Sequence, residues 1–121
     1  MSLPFKTLER SFYRNKIKPW LDSLDNCWYL RVEVGMFGMP DIIGCYRGRF
    51  FALELKRSEA ELSKPRAKLQ GIILGRIRNA GGFGEFIYPE NFDAMKALLI
   101  SSSSWVAPST SVSDTSSQSI P

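Results

Sequence analysis

The spacing of apolar residues predicts a helix in the first part of the chain. From Pro4 to about Leu24, apolar side chains recur at roughly helical intervals among lysines and arginines. We expect an amphipathic helix here, with a bend near Pro19, because a proline ring removes one backbone donor and clashes with the preceding turn. The apolar set consists of Leu8, Phe12, Ile17, Trp20, Leu21 and Leu24.

Strand-like segments follow this helix. Residues 27–34 alternate, which predicts a strand with Trp28, Leu30, Val32 and Val34 on one face and Tyr29, Arg31 and Glu33 on the other. We expect the rings of Trp20 and Trp28 to belong to the core rather than to a base-stacking surface. A glycine-punctuated loop ends this strand at residues 35–40. Residues 41–46 and 49–56 predict two more strands, joined as a hairpin by a tight turn at Arg47-Gly48.

The second half of the chain predicts helix, strand and helix. Residues 58–63 are polar and predict a loop, after which Ser63-Lys64-Pro65 predicts a capped helix that runs to about Asn79. Gly81-Gly82 ends that helix, residues 84–88 predict a fourth strand, and residues 89–100 predict a closing helix. The order α-β-β-β-α-β-α predicts an α/β fold with a small mixed central sheet flanked by helices.

Length and composition indicate one domain followed by a tail. A chain of 121 residues is long enough for one core and too short for two ordinary domains. We expect the domain to cover residues 1–100. Residues 101–121 are rich in Ser, Thr and Pro and nearly uncharged, which predicts a disordered tail.

Charge and residue usage narrow the functional classes. The net charge of +4 is compatible with an anionic partner without establishing one. Cys27 and Cys45 lie in apolar runs, which favours buried free thiols and a reducing compartment over a disulfide. No apolar run suits a membrane span, so we expect a soluble protein of the cytoplasm, or of the host cytoplasm if a phage encodes it. The chain has no histidine, which excludes hydrolases with a His base and zinc sites with His ligands.

The candidate chemistry lies at one end of the predicted hairpin. Alternate residues of a strand share a face, so Glu54 and Lys56 project together while Phe51, Leu53 and Leu55 form the buried set. The hairpin folds Asp41 back toward this end of the third strand. Two carboxylates with water are ligands that Mg²⁺ accepts while a phosphate completes its octahedron, and a lysine beside them can steady negative charge.

These residues resemble a known nuclease superfamily. The succession Gly38-Met39-Pro40-Asp41, Glu54-Leu55-Lys56 and then Gln70 in the next helix is similar to the PD-(D/E)XK nucleases. With the hairpin turn Gly48-Arg49-Phe50, the pattern most resembles the VRR-NUC domain, in the stand-alone phage or bacterial type that is similar to Holliday-junction resolvases. The resemblance covers roughly residues 5 to 100.

The resemblance implies a restriction-endonuclease-like fold and a set of roles. Asp41 and Glu54 would bind Mg²⁺, for which Mn²⁺ would substitute. Lys56 would be the catalytic lysine, and Gln70 would face the site and contact water or phosphate. Glu9 would be an additional catalytic acid and metal ligand. The implied substrate is branched DNA, and the implied assembly is a homodimer.

Other interpretations of the same residues remain open. A flap nuclease or a restriction-like nuclease could use the same scaffold, and a catalytically silent DNA-binding module could keep it. Glu9 and Gln70 are also compatible with ordinary surface positions. Four basic residues near the site could bind DNA phosphates, although a solvated basic face explains them almost as well. They are Arg57, Lys64, Arg66 and Lys68.

Overall fold

The amino-terminal helical stretch contains a change of helix type. A computed structural model describes residues 5–32 and 38–102, and it places Phe5–Ser23 in an uninterrupted helical stretch. Its central part is a π-helical turn in which the Lys18 N–H donates to the carbonyl of Tyr13. The predicted departure from a straight helix therefore lies just before Pro19, which occupies the first turn of the segment that follows. The segments are α1 (Phe5–Phe12), the π turn (Tyr13–Ile17) and α2 (Lys18–Ser23).

A mixed sheet of four strands forms the centre of the fold. The strands lie in sequence order, with antiparallel pairs between the first three and a parallel pair between the last two. The hairpin turn is confirmed, since Arg47 and Gly48 have φ angles of 50° and 83°, the double positive φ of a two-residue hairpin turn. The strands are β1 (Cys27–Arg31), β2 (Ile42–Tyr46), β3 (Arg49–Leu55) and β4 (Phe83–Ile87).

Helices connect and follow the two parallel strands. The crossover from β3 to β4 contains a 3₁₀ helix (Glu59–Ser63) and α3 (Pro65–Asn79), and after β4 a 3₁₀ turn (Pro89–Asn91) leads into α4 (Phe92–Ser101). The predicted order of helices and strands is confirmed. No helix within the described ranges is long and apolar enough to cross a membrane.

Several predicted boundaries differ from those observed. The segment predicted as a polar loop is the 3₁₀ helix, and Ser63 does not cap α3, because its hydroxyl donates to the carbonyl of Ala60. Lys64 is the residue that precedes the first turn of α3. Strand β1 ends at Arg31. The predictions for Pro4, for residues 33–37 and for the tail beyond Ser102 fall outside the described residues.

The hydrophobic core lies on one face of the sheet, against α1, α2 and α4. The predicted buried set of β3 is confirmed, because Phe51, Leu53 and Leu55 are all almost completely buried. Ile17 and Leu99 contribute from the helices on this side. The core is thus built without α3, which packs on the opposite face.

Helix α3 covers only half of that opposite face. It lies across β3 and β4, where a side chain at Gly84 would meet the carbonyl oxygen of Leu74 at 2.8 Å, so glycine permits this close approach. Across β1 and β2, Trp28 is 63% exposed and Leu30 is 50% exposed. Cys45, which pairs with Trp28, is exposed as well.

The predicted faces of β1 are therefore reversed. The alternation is real, but Tyr29 and not Trp28 packs against the core. The Tyr29 hydroxyl reaches the rim and donates to Asp22 at 2.6 Å, so an amphipathic ring occupies the inner face. Trp20 is partly buried against the core, as expected, whereas Trp28 and Cys45 were wrongly predicted to be buried.

Candidate functional site

The hairpin register brings Asp41 to the end of β3. Ile42 pairs with Leu53, so Asp41, one residue earlier, lies beside the strand at Glu54-Leu55. The Asp41 carboxylate accepts a hydrogen bond from the Leu55 backbone N–H at 2.8 Å. A main-chain donor thus fixes this carboxylate in place, as the hairpin prediction required.

Glu54 and Gln70 form a buried pair between β3 and α3. Glu54 is only 4% exposed, and its Oε2 accepts a hydrogen bond from Gln70 Nε2 at 2.9 Å. Gln70 Oε1 is also buried and has no hydrogen-bond partner in the described part of the chain. Buried polar atoms normally have a partner, so this oxygen is suited to accept a hydrogen bond from a bound water or ligand.

A cavity of about 230 Å³ collects the predicted site residues. Glu9 enters it from α1, Asp41 and Glu54 from the hairpin, and Gln70 from α3, while Lys56 follows β3 directly. All the residues to which the resemblance assigns catalytic roles are therefore brought together. The remaining lining residues are Leu55, Glu61, Lys64, Arg66 and Ala67.

The four basic residues predicted to bind phosphate divide into two groups. Lys64 and Arg66 are exposed residues that line the cavity. Lys68 is exposed on α3 and does not line it, and Arg57 pairs with Glu61 at 2.9 Å instead. Positive charge at the cavity thus comes from Lys56, Lys64 and Arg66.

Asp41 affects the ionisation of two other acids in the cavity. Burial, together with the charge and hydrogen bond of Asp41, raises the pKa of Glu54 to about 9. Burial, and then the charge of Asp41, also raises the pKa of Glu9. Lys56 partly opposes both shifts. Carboxylates that share a buried site disfavour one another's ionised forms, and a bound cation would relieve this repulsion.

Lys56 is held at the cavity by its surroundings. Its backbone N–H donates to Ile87 O at 3.0 Å, which continues the β3–β4 pairing by one residue. The residue is 7% exposed, and its ammonium nitrogen lies 6.0 Å from the centre of the Phe86 ring. Lysine is seldom buried, so a nearly buried Lys56 that acts electrostatically on Glu54 and Glu9 is unusual.

Glu61 is a cavity residue that the sequence did not reveal. It is 4% exposed and accepts a hydrogen bond from Arg57, and Lys64 lies 3.7 Å away. Burial raises the pKa of Glu61, but the hydrogen bond from Arg57 and the charge of Lys64 outweigh burial and hold it below its ordinary value. Arg57 lies four residues before Glu61 and Lys64 three residues after it. This spacing brings side chains together in a helix, but the sequence predicted a loop here, so the pairs were not expected.

The donor set suits a hard divalent cation bound through two carboxylates. The described residues contain no group of three or more Asp, Glu or Cys side chains placed to hold one metal ion, although Glu9 lies in the same cavity. Mg²⁺ commonly keeps several waters and uses only one or two carboxylates besides a substrate phosphate. Asp41 and Glu54 are two carboxyl groups in one cavity, and metal binding by them and by Glu9 stays a prediction.

Comparison with known proteins adds no relative. No protein-family model matches the chain, and no curated protein and no solved structure matches it significantly. What the protein does is therefore inferred from the geometry and chemistry of its cavity.

Proposed function

We propose that the protein is a metal-dependent endodeoxyribonuclease that hydrolyses phosphodiester bonds in branched DNA such as Holliday junctions. The convergence of Asp41, Glu54, Lys56 and Gln70 in one cavity carries the proposal. The order of elements supports a restriction-endonuclease-like fold, and the motif pattern supports a VRR-NUC-like nuclease. We place the enzyme in the cytoplasm.

Asp41 and Glu54 would hold a Mg²⁺ ion, with Mn²⁺ as a substitute. When bound, the ion would polarise the phosphoryl group and lower the pKa of a coordinated water. The Leu55 N–H orients Asp41 and the Gln70 amide orients Glu54, so both carboxyl groups are held at the cavity by neighbouring hydrogen-bond donors. Such orientation by surrounding hydrogen bonds is what a metal site requires from its second layer of residues.

The remaining cavity residues act on the phosphodiester and on the attacking water. Lys56 is close enough to the acids to influence their pKa values, and its ammonium steadies the negative charge that develops on the phosphate. The unpartnered Gln70 Oε1 accepts a hydrogen bond from the attacking water. Glu9, whose raised pKa favours its protonated form, is placed to exchange a proton at the cavity.

Substrate binding depends on backbone phosphates. Lys64 and Arg66 flank the cavity and are suited to phosphate contacts, which give affinity without base preference. A homodimer would present two cavities to two strands, and its symmetry matches that of a four-way junction. Arg57 and Lys68 lie outside the cavity lining and contribute through the general field of the surface.

The proposal is tested with synthetic four-way junctions, flaps, duplexes and single strands, incubated with Mg²⁺, with Mn²⁺ or with a chelator. We expect cleavage of branched substrates with either metal and none with the chelator. Asp41→Asn should abolish cleavage. Asp93→Asn is a matched control, because Asp93 is a solvent-exposed carboxylate on α4 that forms an ion pair with Lys96.

The products separate the proposal from its alternatives. Paired symmetric cuts in a junction support a resolvase, whereas cuts confined to a single-strand branch support a flap nuclease. Binding of junctions without cleavage at any divalent metal concentration would show a silent DNA-binding module. Equal cleavage by Asp41→Asn and the parent would show that the cavity is not the active site.

A further inference from the structure

The uncovered half of the α3 side of the sheet is an apolar surface. We call it the β1–β2 face and define it by Trp28, Leu30, Ile43, Cys45 and Phe50. The sheet register places these residues side by side, because Trp28 pairs with Cys45, Leu30 with Ile43, and Cys45 with Phe50. None of the five is charged. In a chain with 16 basic and 12 acidic residues, such an uncharged area is a distinct feature of the surface.

One side of α3 borders this surface. Ile73 lies against the segment before β2, close to Gly38, and Leu69, which is 48% exposed, lies one turn before it. Where the face meets α3, Phe50, Ile73 and Ile77 line an open cavity of about 360 Å³. The surface therefore consists of the part of the sheet that no described element covers, the adjoining side of α3, and the cavity where the two meet.

We propose that the β1–β2 face is the surface through which two copies of this chain associate. The inference deepens the proposed homodimer by locating its interface. A two-fold axis through this surface would let α3 of each copy cover the open part of the sheet in the other. The Trp28 ring of one copy would bind in the cavity beside Phe50 of the other copy, because aromatic side chains buried in pockets contribute much of the binding energy of interfaces.

The size of the surface agrees with an interface between two copies. From their exposed fractions, four large side chains offer roughly 400 Å² of apolar area, which is within the range of the largest patch on a typical monomer. They are Trp28, Leu30, Phe50 and Leu69. Specific interfaces bury about 800 Å² per partner, with an apolar centre and a polar rim. These side chains would therefore form the apolar centre of an interface of ordinary size.

The chemistry of the face disfavours two other occupants. Nucleic acid needs several cations for its phosphates, whereas the five defining residues provide none and Arg76 is the one basic residue among the described residues that line the adjoining cavity. Residues 103–121 fall outside the described residues, and only their composition bears on the question. They are mostly Ser and Thr, with Trp105 as the one large aromatic residue, and would cover an area of this size poorly.

Sedimentation velocity across a micromolar concentration series tests the inference on the full chain. We expect a dimer that Trp28→Glu combined with Leu30→Glu converts to a monomer, through a dissociation constant raised at least ~100-fold. Cys45→Arg, at the centre of the face, should do the same. Leu98→Glu combined with Ile100→Glu is the matched control, because these α4 side chains are similarly exposed and should leave the dimer intact. Circular dichroism verifies that every variant is folded.

Three outcomes would overturn the inference: a full chain that is monomeric throughout, a dimer that survives the variants on the face, or a dimer lost when residues 103–121 are removed. The last would make the tail the contact. Sedimentation requires no activity, so an inactive dimer would contradict the proposed nuclease and leave the interface standing. A monomer that cleaves DNA would support the nuclease and contradict the interface.

Discussion

The two halves of the sheet beneath and beside α3 contrast in what they bury. Under α3, the polar residues Glu54 and Gln70 are almost completely buried, together with Lys56. Beside α3, Trp28 and Leu30 are largely exposed. Buried charges and exposed large apolar groups both depart from the usual distribution, and both kinds of departure point to function rather than to packing.

The hydrophobic core on the opposite face of the sheet explains how the fold remains stable despite this contrast. There, Phe51, Leu53 and Ile87 are completely buried against the helices and supply the principal core. The α3 side is thus relieved of much of the burial that stabilises the fold. It can hold ionisable groups in one half and leave apolar groups open in the other.

Loss of the lysine in the covered half should have the largest effect. Lys56→Ala should reduce kcat on a junction by about 10²- to 10³-fold, because a preorganised cation beside the phosphate is removed. KM should change little. Lys18→Ala is the control, since Lys18 is exposed and pairs with Asp22 on the same helix. Steady-state kinetics of the two variants measures this difference in kcat, and equal kcat values would show that Lys56 does not take part in catalysis.

Glu54→Gln should stabilise the metal-free protein at alkaline pH. Glu54 has a pKa of about 9 when folded and near its ordinary 4.5 when unfolded, so the folded state retains a proton that the unfolded chain has lost. Stability from this group is therefore lost as the pH rises from about 4.5 to about 9. At pH 8 the variant should gain on the order of 1 to 3 kcal/mol, and little near pH 4.

Urea unfolding in chelator at both pH values measures this difference. A variant that is equally destabilised at the two values would contradict the raised pKa. Excess Mg²⁺ should reverse the order at pH 8, because only the parent keeps both carboxylates and ligands that bind the folded state stabilise it.

Gly84→Ala should weaken the seating of α3 on the covered half. The added carbon would meet the Leu74 carbonyl oxygen at 2.8 Å and Ile77 at 3.3 Å, which we expect to cost about 1 to 3 kcal/mol. In Gly75→Ala, within α3 itself, the added carbon would have its nearest neighbour at 3.6 Å, in the flexible Arg78 side chain. That control should be neutral or gain up to about 1 kcal/mol from helix propensity. Thermal unfolding should therefore show a lowered melting temperature for Gly84→Ala and an unchanged or raised one for Gly75→Ala, and a destabilised Gly75→Ala would remove the contrast.

The smallest effect on stability should come from the bare half. Trp28→Ser should change the unfolding free energy of the monomer by no more than about 0.5 kcal/mol, because surface substitutions seldom matter more. Denaturation at concentrations low enough to keep the chain monomeric measures this. A loss of several kcal/mol would mean that Trp28 is part of the core after all.

The sequence predicted the elements of this fold well where the local signals were strong. The Arg47-Gly48 turn fixes the hairpin register, and that register alone places Asp41 beside Glu54 and Leu55. Alternation in β3 correctly assigned Phe51, Leu53 and Leu55 to the core. Both results follow from the two-residue period of strands, because this period determines which side chains share a face and which residues lie opposite one another.

The same alternation could not tell which face of β1 is inside. Trp28 belongs to the more apolar set of β1, which predicts a core position, but α3 lies too far along the sheet to cover it or Leu30. Only the arrangement of whole elements decides this. Glu61 was missed for a related reason, since its burial depends on a 3₁₀ helix that no local pattern announced.

The π turn between α1 and α2 sets the rotational phase of everything before it. Phe12 and Ile17 are both buried although five residues separate them, which a π turn allows and a regular α-helix does not. If the same five residues instead adopted regular α-helical geometry, α1 would rotate by roughly 100° relative to α2. Glu9 would then turn away from the cavity while the rest of the site stayed in place. Removing one residue, in contrast, would give a regular α-helix of nearly the same phase, so the extra residue of the π turn can be deleted without turning Glu9 away from the cavity.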